Sequence, residues 1–266
     1  QYHAKIEFDI ALTVWTPSFK DDANNRLLGH GVTAAEISNL EGALKSLTFN
    51  AVGRLEKDIS SINVLQQRRE KLLQCRLNSL NKAFALLDDC QRFGTLAFAH
   101  AARHGFIATN FLKSFVHKDI LTPEQFNQFM LTINTVASDI QTDQSAVAQG
   151  KMHMQELIAR YGHLRPGTYD ATAKAYWEDP EHYLAGSNHQ KSVGQKLLLL
   201  LSPTQEKQIQ ESLAELELSL SVEQFMDYLK QATIAREAVK LEFTHNLSLA
   251  LDCIIDFGKS IGIGRE

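Results

Sequence analysis

Apolar residues recur along much of this chain at steps of three and four, the spacing that lines one side of an α-helix. After Thr122 they fall at Phe126, Phe129, Met130, Ile133, Val136, Ala137 and Ile140, which predicts one helix running to about Val147. A second long stripe, Val239, Phe243, Ala250, Cys253, Ile254, Phe257 and Ile261, predicts a helix near the C-terminus. From Phe93 to Phe115 the pattern is helical but apolar around more of its circumference, so this helix is expected at the centre of the fold. Residues 34 to 90 read as two or three further amphipathic helices, with the charged run Arg68-Arg69-Glu70-Lys71 on a solvated face.

Four helix starts are marked by capping boxes, in which a Ser or Thr side chain accepts from a backbone N–H three residues on and a Glu or Gln there reaches back. They are Thr33-Ala34-Ala35-Glu36, Thr122-Pro123-Glu124-Gln125, Ser202-Pro203-Thr204-Gln205 and Ser221-Val222-Glu223-Gln224. Two carry proline at the first helical position, where its missing N–H has no helical partner to lose. Two stretches depart from the helical pattern. Ile6 to Phe19 mixes β-branched and aromatic residues ahead of Pro17 and is expected to be extended. Residues 162 to 190 hold Gly162, Pro166, Gly167, Pro180 and Gly186 with no periodicity, and so long a loop in a helical domain is more often functional than idle. With no repeat, low-complexity tract or linker-like composition shift, the expected fold is mainly α: a single multi-helix domain over 1–266 with long antiparallel helices and one long irregular functional loop at about 162–190.

Composition narrows the function classes. The 266 residues are 44% hydrophobic and 22% charged, a balance that forms a core and excludes general disorder, and five prolines are too few for a sandwich or barrel. Twenty-seven basic against 31 acidic residues give a net charge of −4, which offers no global attraction to nucleic acid. Cys75, Cys90 and Cys253 form no CxxC pair, so neither a disulfide framework nor a cysteine zinc site is expected, and a reducing cytoplasm fits. The longest aliphatic run, Leu197 to Leu201, falls far short of the roughly 20 residues of a spanning helix, so no membrane role is expected. The chain opens on Gln1 with no basic and apolar leader and closes just after Gly262-Ile263-Gly264, and is expected to be a piece of a longer multidomain chain.

Chemistry concentrates at Tyr161-Gly162-His163-Leu164-Arg165-Pro166-Gly167-Thr168-Tyr169-Asp170. Arg165 offers a planar fork for a phosphate or carboxylate, His163 donates or accepts near neutral pH, and Gly162 and Gly167 let backbone approach a ligand. The alternative is that Arg165 and Asp170 pair to brace the turn while Tyr169 plugs the core. Arg236 and Lys240, four apart, make either a cationic patch for an anion or an ordinary helix face with ion pairs. His100 and His104 have a spacing that suits one metal, but Ala101 stands where a metalloprotease helix needs its glutamate, so a plain helical role is preferred and no metal is expected. Neither a GxxxxGKS/T nor a GxGxxG phosphate loop is present, nor a GxSxG elbow, so any nucleotide site lies elsewhere.

The loop residues resemble the Gly-His-x-Arg-Pro-Gly-Thr-Tyr-Asp signature in the central region of proteins similar to phosphoenolpyruvate synthase, a group including L-glutamine kinases and, more distantly, rifampin phosphotransferase. Two further stretches agree. Asp88-Asp89-Cys90-Gln91-Arg92-Phe93-Gly94-Thr95-Leu96-Ala97-Phe98 is similar to that family's Asp-Cys-x-Arg-x-Gly-Thr-x-x-Phe segment, and Arg236-Glu237 with Lys240 and Phe243-Thr244-His245-Asn246-Leu247-Ser248 resembles its Arg-Glu-x-x-Lys helix.

The resemblance implies the middle part of a three-part enzyme. An ATP-grasp domain would phosphorylate a histidine on a mobile domain, and that phosphohistidine would pass its phosphoryl group to a small polar acceptor, L-glutamine first among the choices. This chain would bind the acceptor but no cofactor of its own; ATP and Mg2+ belong to the full-length protein. By the same resemblance His163, Arg165 and Asp170 are candidate catalytic residues, and Gly167, Thr168, Tyr169, Arg236, Lys240, Arg92 and Thr95 candidate acceptor-binding residues. The competing reading is a non-catalytic helical scaffold that recruits a partner. One departure stands out: relatives continue with Ile-x-x-Pro-Arg-Tyr, whereas this chain reads Ala171-Thr172-Ala173-Lys174-Ala175-Tyr176-Trp177, with Tyr176 and Trp177 either walling the pocket or covering core.

Overall fold

The computed structural model describes residues 11–134, 136–185 and 200–265, and among them every regular element is a helix. The chain folds into two compact units, each assembled from separate stretches of sequence: Gln1–Lys57, Ala101–Ile133 and Gly194–Arg236 form the first, and Asp58–His100, Asn134–Val193 and Glu237–Glu266 the second.

The first unit contains α1 (Phe19–Leu27) and α2 (Ala34–Val52), and takes the larger part of α6 (Thr95–His117), then α7 (Pro123–Leu131), α11 (Pro203–Glu215) and the start of α12 (Val222–Ser260). All four capping boxes form at the expected places, with Thr33, Thr122, Ser202 and Ser221 each accepting from the N–H three residues on and receiving the Glu or Gln side chain in return. The α6 helix is central, as its pattern predicts, with Ile107, Ala108, Phe111, Leu112 and Phe115 fully buried. Phe111 meets Trp15, Phe115 and Phe225 edge-on at centroid distances of 6.1, 5.9 and 5.1 Å, the favoured aromatic geometry. Gly105 lets α12 come close, because a Cβ there would lie 2.6 Å from Cδ of Arg236.

The opening segment is non-helical over 11–18, with Val14 and Trp15 buried; Ile6 to Ile10 lie outside the described residues. The helix expected from Thr122 to about Val147 is in fact two, α7 and α8 (Val136–Ala148). Thr132, Ile133 and Val136 are β-branched and stiff at χ1, and the Thr132 hydroxyl donates to the Phe129 carbonyl at 2.7 Å, which favours a stop. Ile133 is drawn into the first unit's core at this point, where the chain passes to the second unit.

The second unit begins within α3 (Leu55–Ser60) and holds α4 (Asn63–Gln74), α5 (Ser79–Asp89), a π-helical turn at Cys90–Gly94, then α8, α9 (Met154–Tyr161), a 3-10 turn at Tyr176–Glu178, α10 (Pro180–Leu184) and the later part of α12. Residues 34–89 thus form four helices, not two or three. The π turn is where a Cβ on Gly94 would meet Phe243 at 2.7 Å. No helix among the described residues is long and apolar enough to cross a membrane.

Candidate functional site

The loop that follows α9 lies in the second unit. Gly162 starts it because any Cβ would sit 2.5 Å from the Ile158 carbonyl oxygen and 3.1 Å from Trp177. The loop returns on itself: Tyr176 N–H donates to the Leu164 carbonyl and Trp177 N–H to the Gly162 carbonyl, both at 2.9 Å. Tyr176 stacks on Tyr183 at 4.6 Å over the small apolar cluster of Leu157, Tyr161 and Leu184, so it covers core. Trp177 lies 6.1 Å from the His245 ring.

Arg165 anchors this excursion. Its side chain is 0% exposed, and its donors are spent on protein: Nε on the Ser248 hydroxyl at 2.9 Å, Nη1 on the Ala173 carbonyl at 2.7 Å, and Nη2 on the Ser248 carbonyl and the Asp252 carboxylate. The loop is therefore tied both to itself and to α12. Burial pushes the Asp252 carboxyl above its usual range, with the guanidinium opposing. A brace of the kind open to the sequence is present, but its carboxylate is Asp252 and not Asp170.

His163 is buried as well. Its Nε2 donates to the Leu241 carbonyl at 3.1 Å, which fixes the neutral tautomer and leaves Nδ1 a buried acceptor with no hydrogen-bond donor. The ring stacks on His245 at 4.3 Å with 10° between planes. Burial is the main cause that holds His163 down at about 4 and His245 at about 3, with the Arg69 guanidinium acting in the same direction on both and His163 adding to the effect on His245. Arg69 belongs to the charged run expected on a solvated face; it is instead 5% exposed, bonded through Nη1 to Asn246 Oδ1 at 3.0 Å and paired with Glu242. Its neighbour Arg68 pairs with Asp89 at 2.7 Å and lies over the Phe93 ring.

The tip is different in kind. Asp170 N–H donates to the Gly167 carbonyl at 3.0 Å, closing a turn in which Gly167 is needed because a Cβ would approach that of Asp170 to 2.9 Å. Thr168, Tyr169 and Asp170 are exposed, Tyr169 at 75%, so Tyr169 does not plug the core. The Asp170 carboxylate accepts from the Thr172 hydroxyl at 2.6 Å and the Thr172 N–H at 2.8 Å, which hold it below its usual range and ionised.

The other candidates lie apart from this loop in their contacts. Arg92 pairs with Asp88 one turn away at 2.9 Å, and Thr95 donates to the Cys90 carbonyl at 3.4 Å. Lys240 is exposed in the second unit, whereas Arg236 belongs to the first, packed on Gly105. His100 lies 3.4 Å from Asp58, and His104 is buried against the Tyr228 hydroxyl at 3.0 Å. Among the described residues no group of three or more His, Cys, Asp or Glu is placed to hold a metal. The residues missed by sequence reasoning are Arg69, Glu242, His245, Asn246, Ser248 and Asp252. For the five on α12 the signal is a polar side chain interrupting an apolar helix stripe; Arg69 gives none, because it sits in a charged run. No family model, curated protein or solved structure matches this chain.

Proposed function

We propose that this chain is the helical acceptor-side part of an ATP-dependent phosphotransferase working through a phosphohistidine, with a small polar acceptor, L-glutamine first. Other parts of such an enzyme would use ATP and Mg2+ to phosphorylate a mobile histidine, with AMP and phosphate released for each acceptor phosphorylated. The support is the likeness of the loop to the family's signature, joined to one observation: Arg165 pins the loop to α12 while Thr168, Tyr169 and Asp170 stand exposed at its tip. On this reading Arg165 and His163 are positioning residues that set the loop's shape. The tip and the nearby exposed Lys174 meet the acceptor or the incoming phosphohistidine.

The test is AMP formation by the full-length protein supplied with ATP and L-glutamine. Glutamine-dependent AMP, reduced in Tyr169→Ala and Asp170→Asn at unchanged thermal stability, is the expected result. AMP that is absent or indifferent to any acceptor would contradict the proposal. A second reading, a non-catalytic helical scaffold, is favoured by the burial of both the Arg165 guanidinium and the His163 imidazole, since neither is presented to a small molecule. It expects no AMP under any acceptor.

A further inference from the structure

Helix α5 carries two apolar faces, and only one of them is used by the fold. Ala83 and Leu86 turn inward and are buried, and Cys90 continues that row. Leu80, Phe84 and Leu87 follow the i, i+4, i+7 rule on another side and remain in solvent. Phe84 is 73% exposed, more than any other phenylalanine among the described residues, and Leu80 and Leu87 are 44% and 41% exposed. Leu77 adds to them, 40% exposed just ahead of the N-cap Asn78. Single exposed leucines are ordinary, whereas a row of apolar side chains along one helix marks an interaction surface.

The two ends of this row carry opposite charges. Arg76 is exposed ahead of the helix, and at the far end Asp88 pairs with Arg92 one turn on at 2.9 Å, which uses one of its two oxygens. The row also complements itself when reversed. Positions 80 and 84, 77 and 87, and 76 and 88 share a midpoint at Lys82. A second α5 laid antiparallel about a two-fold axis there sets Leu80 against Phe84, Leu77 against Leu87 and Arg76 against Asp88, each contact occurring twice. It also opposes the two helix dipoles favourably. The partner whose apolar and charged positions match this face is thus already encoded in the chain.

We propose that α5 is a self-association surface, through which two copies of this chain pair as a symmetric dimer. The row offers on the order of 400 Å² of apolar surface, about half of what each side of a standard interface buries, so the pairing is weak and reversible. Nothing in it depends on the function read from the loop.

The test is sedimentation equilibrium of the chain from roughly 1 μM to 1 mM, where a monomer–dimer equilibrium with a Kd on the order of 100 μM is expected. Phe84→Glu should leave monomer alone over that range, because it sets a carboxylate against Leu80 of the second copy. Its circular dichroism should match the parent, since Phe84 is exposed. Arg76→Glu and Asp88→Arg, taken singly, set like charges against each other at both ends and should each weaken pairing about fivefold or more. Asp88→Arg gives up only the exposed pair with Arg92, which contributes little to folding. An equimolar mixture of these two variants decides the register: in the mixed dimer both ends again carry opposite charges, so the mixture should associate about as well as the parent although neither variant does so by itself. A chain that stays monomeric throughout, a dimer indifferent to Phe84→Glu, or a mixture no better than its components would overturn the proposal.

Discussion

The two units are built around opposite interiors. At the centre of the first, Trp15, Phe111, Phe115 and Phe225 meet edge to face among aliphatic side chains, and stability comes from burying apolar area. In the second, the inner face of α12 is polar: Asn246 and Glu242 receive Arg69, Ser248 and Asp252 receive Arg165, and His245 stacks on His163. An apolar interior tolerates changes of similar shape and is indifferent to pH. A polar one fails when a single partner is removed and responds to protonation, because every buried charge or dipole depends on its complement. The second arrangement is the one that fixes an irregular loop, since directional bonds specify a backbone path that apolar contacts would leave loose.

The contrast can be broken at either end, and the protein's two tryptophans report separately, Trp15 from the first unit and Trp177 from the second. The largest effect is expected from Phe111→Ala, which should cost about 4 kcal/mol in urea unfolding followed at Trp15, with the same cost at pH 7 and pH 5. Arg165→Met comes next at about 3 kcal/mol, because it leaves the Asp252 carboxylate in its half-buried site without its guanidinium. Arg165→Lys should not rescue it, since one ammonium cannot span Ser248, Ala173 and Asp252 at once.

Acidification should follow. His163 and His245 are held at about 4 and about 3 in the folded chain, below the ordinary value of 6.5, so the unfolded chain binds more protons between those limits. The stability they contribute is complete above about 6.5 and is lost as pH falls towards 4. Unfolding followed at Trp177 should weaken steadily from pH 7 to pH 5, and His245→Gln should flatten that slope; a slope unchanged in the variant would remove the histidine stack from the explanation. The smallest effect is expected at the tip, where Tyr169→Ala should change stability by less than about 0.5 kcal/mol. A larger loss there would mean that Tyr169 packs more firmly than its exposure indicates.

What could be read from the sequence follows the same division. The four capping boxes are local codes between residues three apart, and each forms as written. The central position of α6 follows from its breadth of apolar surface. The C-terminal stripe was only half legible: Val239 and Ala250 are buried, but Ile254 and Ile261 are exposed, and the positions between are taken inward by Thr244, Asn246 and Ser248. Hydrophobic periodicity assigns a polar residue to solvent, and it has no means of seeing that Asn246 lies within reach of an arginine 177 positions away. Arg69 was misplaced for the same reason, because a charged run gives no sign of which member finds a buried partner. In the loop, the glycines were legible as points of close approach, and Gly162 and Gly167 are such points. Ser248 and Asp252 were not legible as partners of Arg165, since they lie on a helix that begins more than fifty residues later.

The central claim is that Arg165 holds the loop in place, and amide hydrogen exchange tests it most directly. In the parent chain the Tyr176 and Trp177 amides, which donate to Leu164 and Gly162, should be protected, as should those of 107–115 in α6. In Arg165→Met the two loop amides should exchange at near unprotected rates while those of α6 keep most of their protection. Loop amides that stay protected in the variant would show that something other than the guanidinium fixes the loop, and would contradict the account.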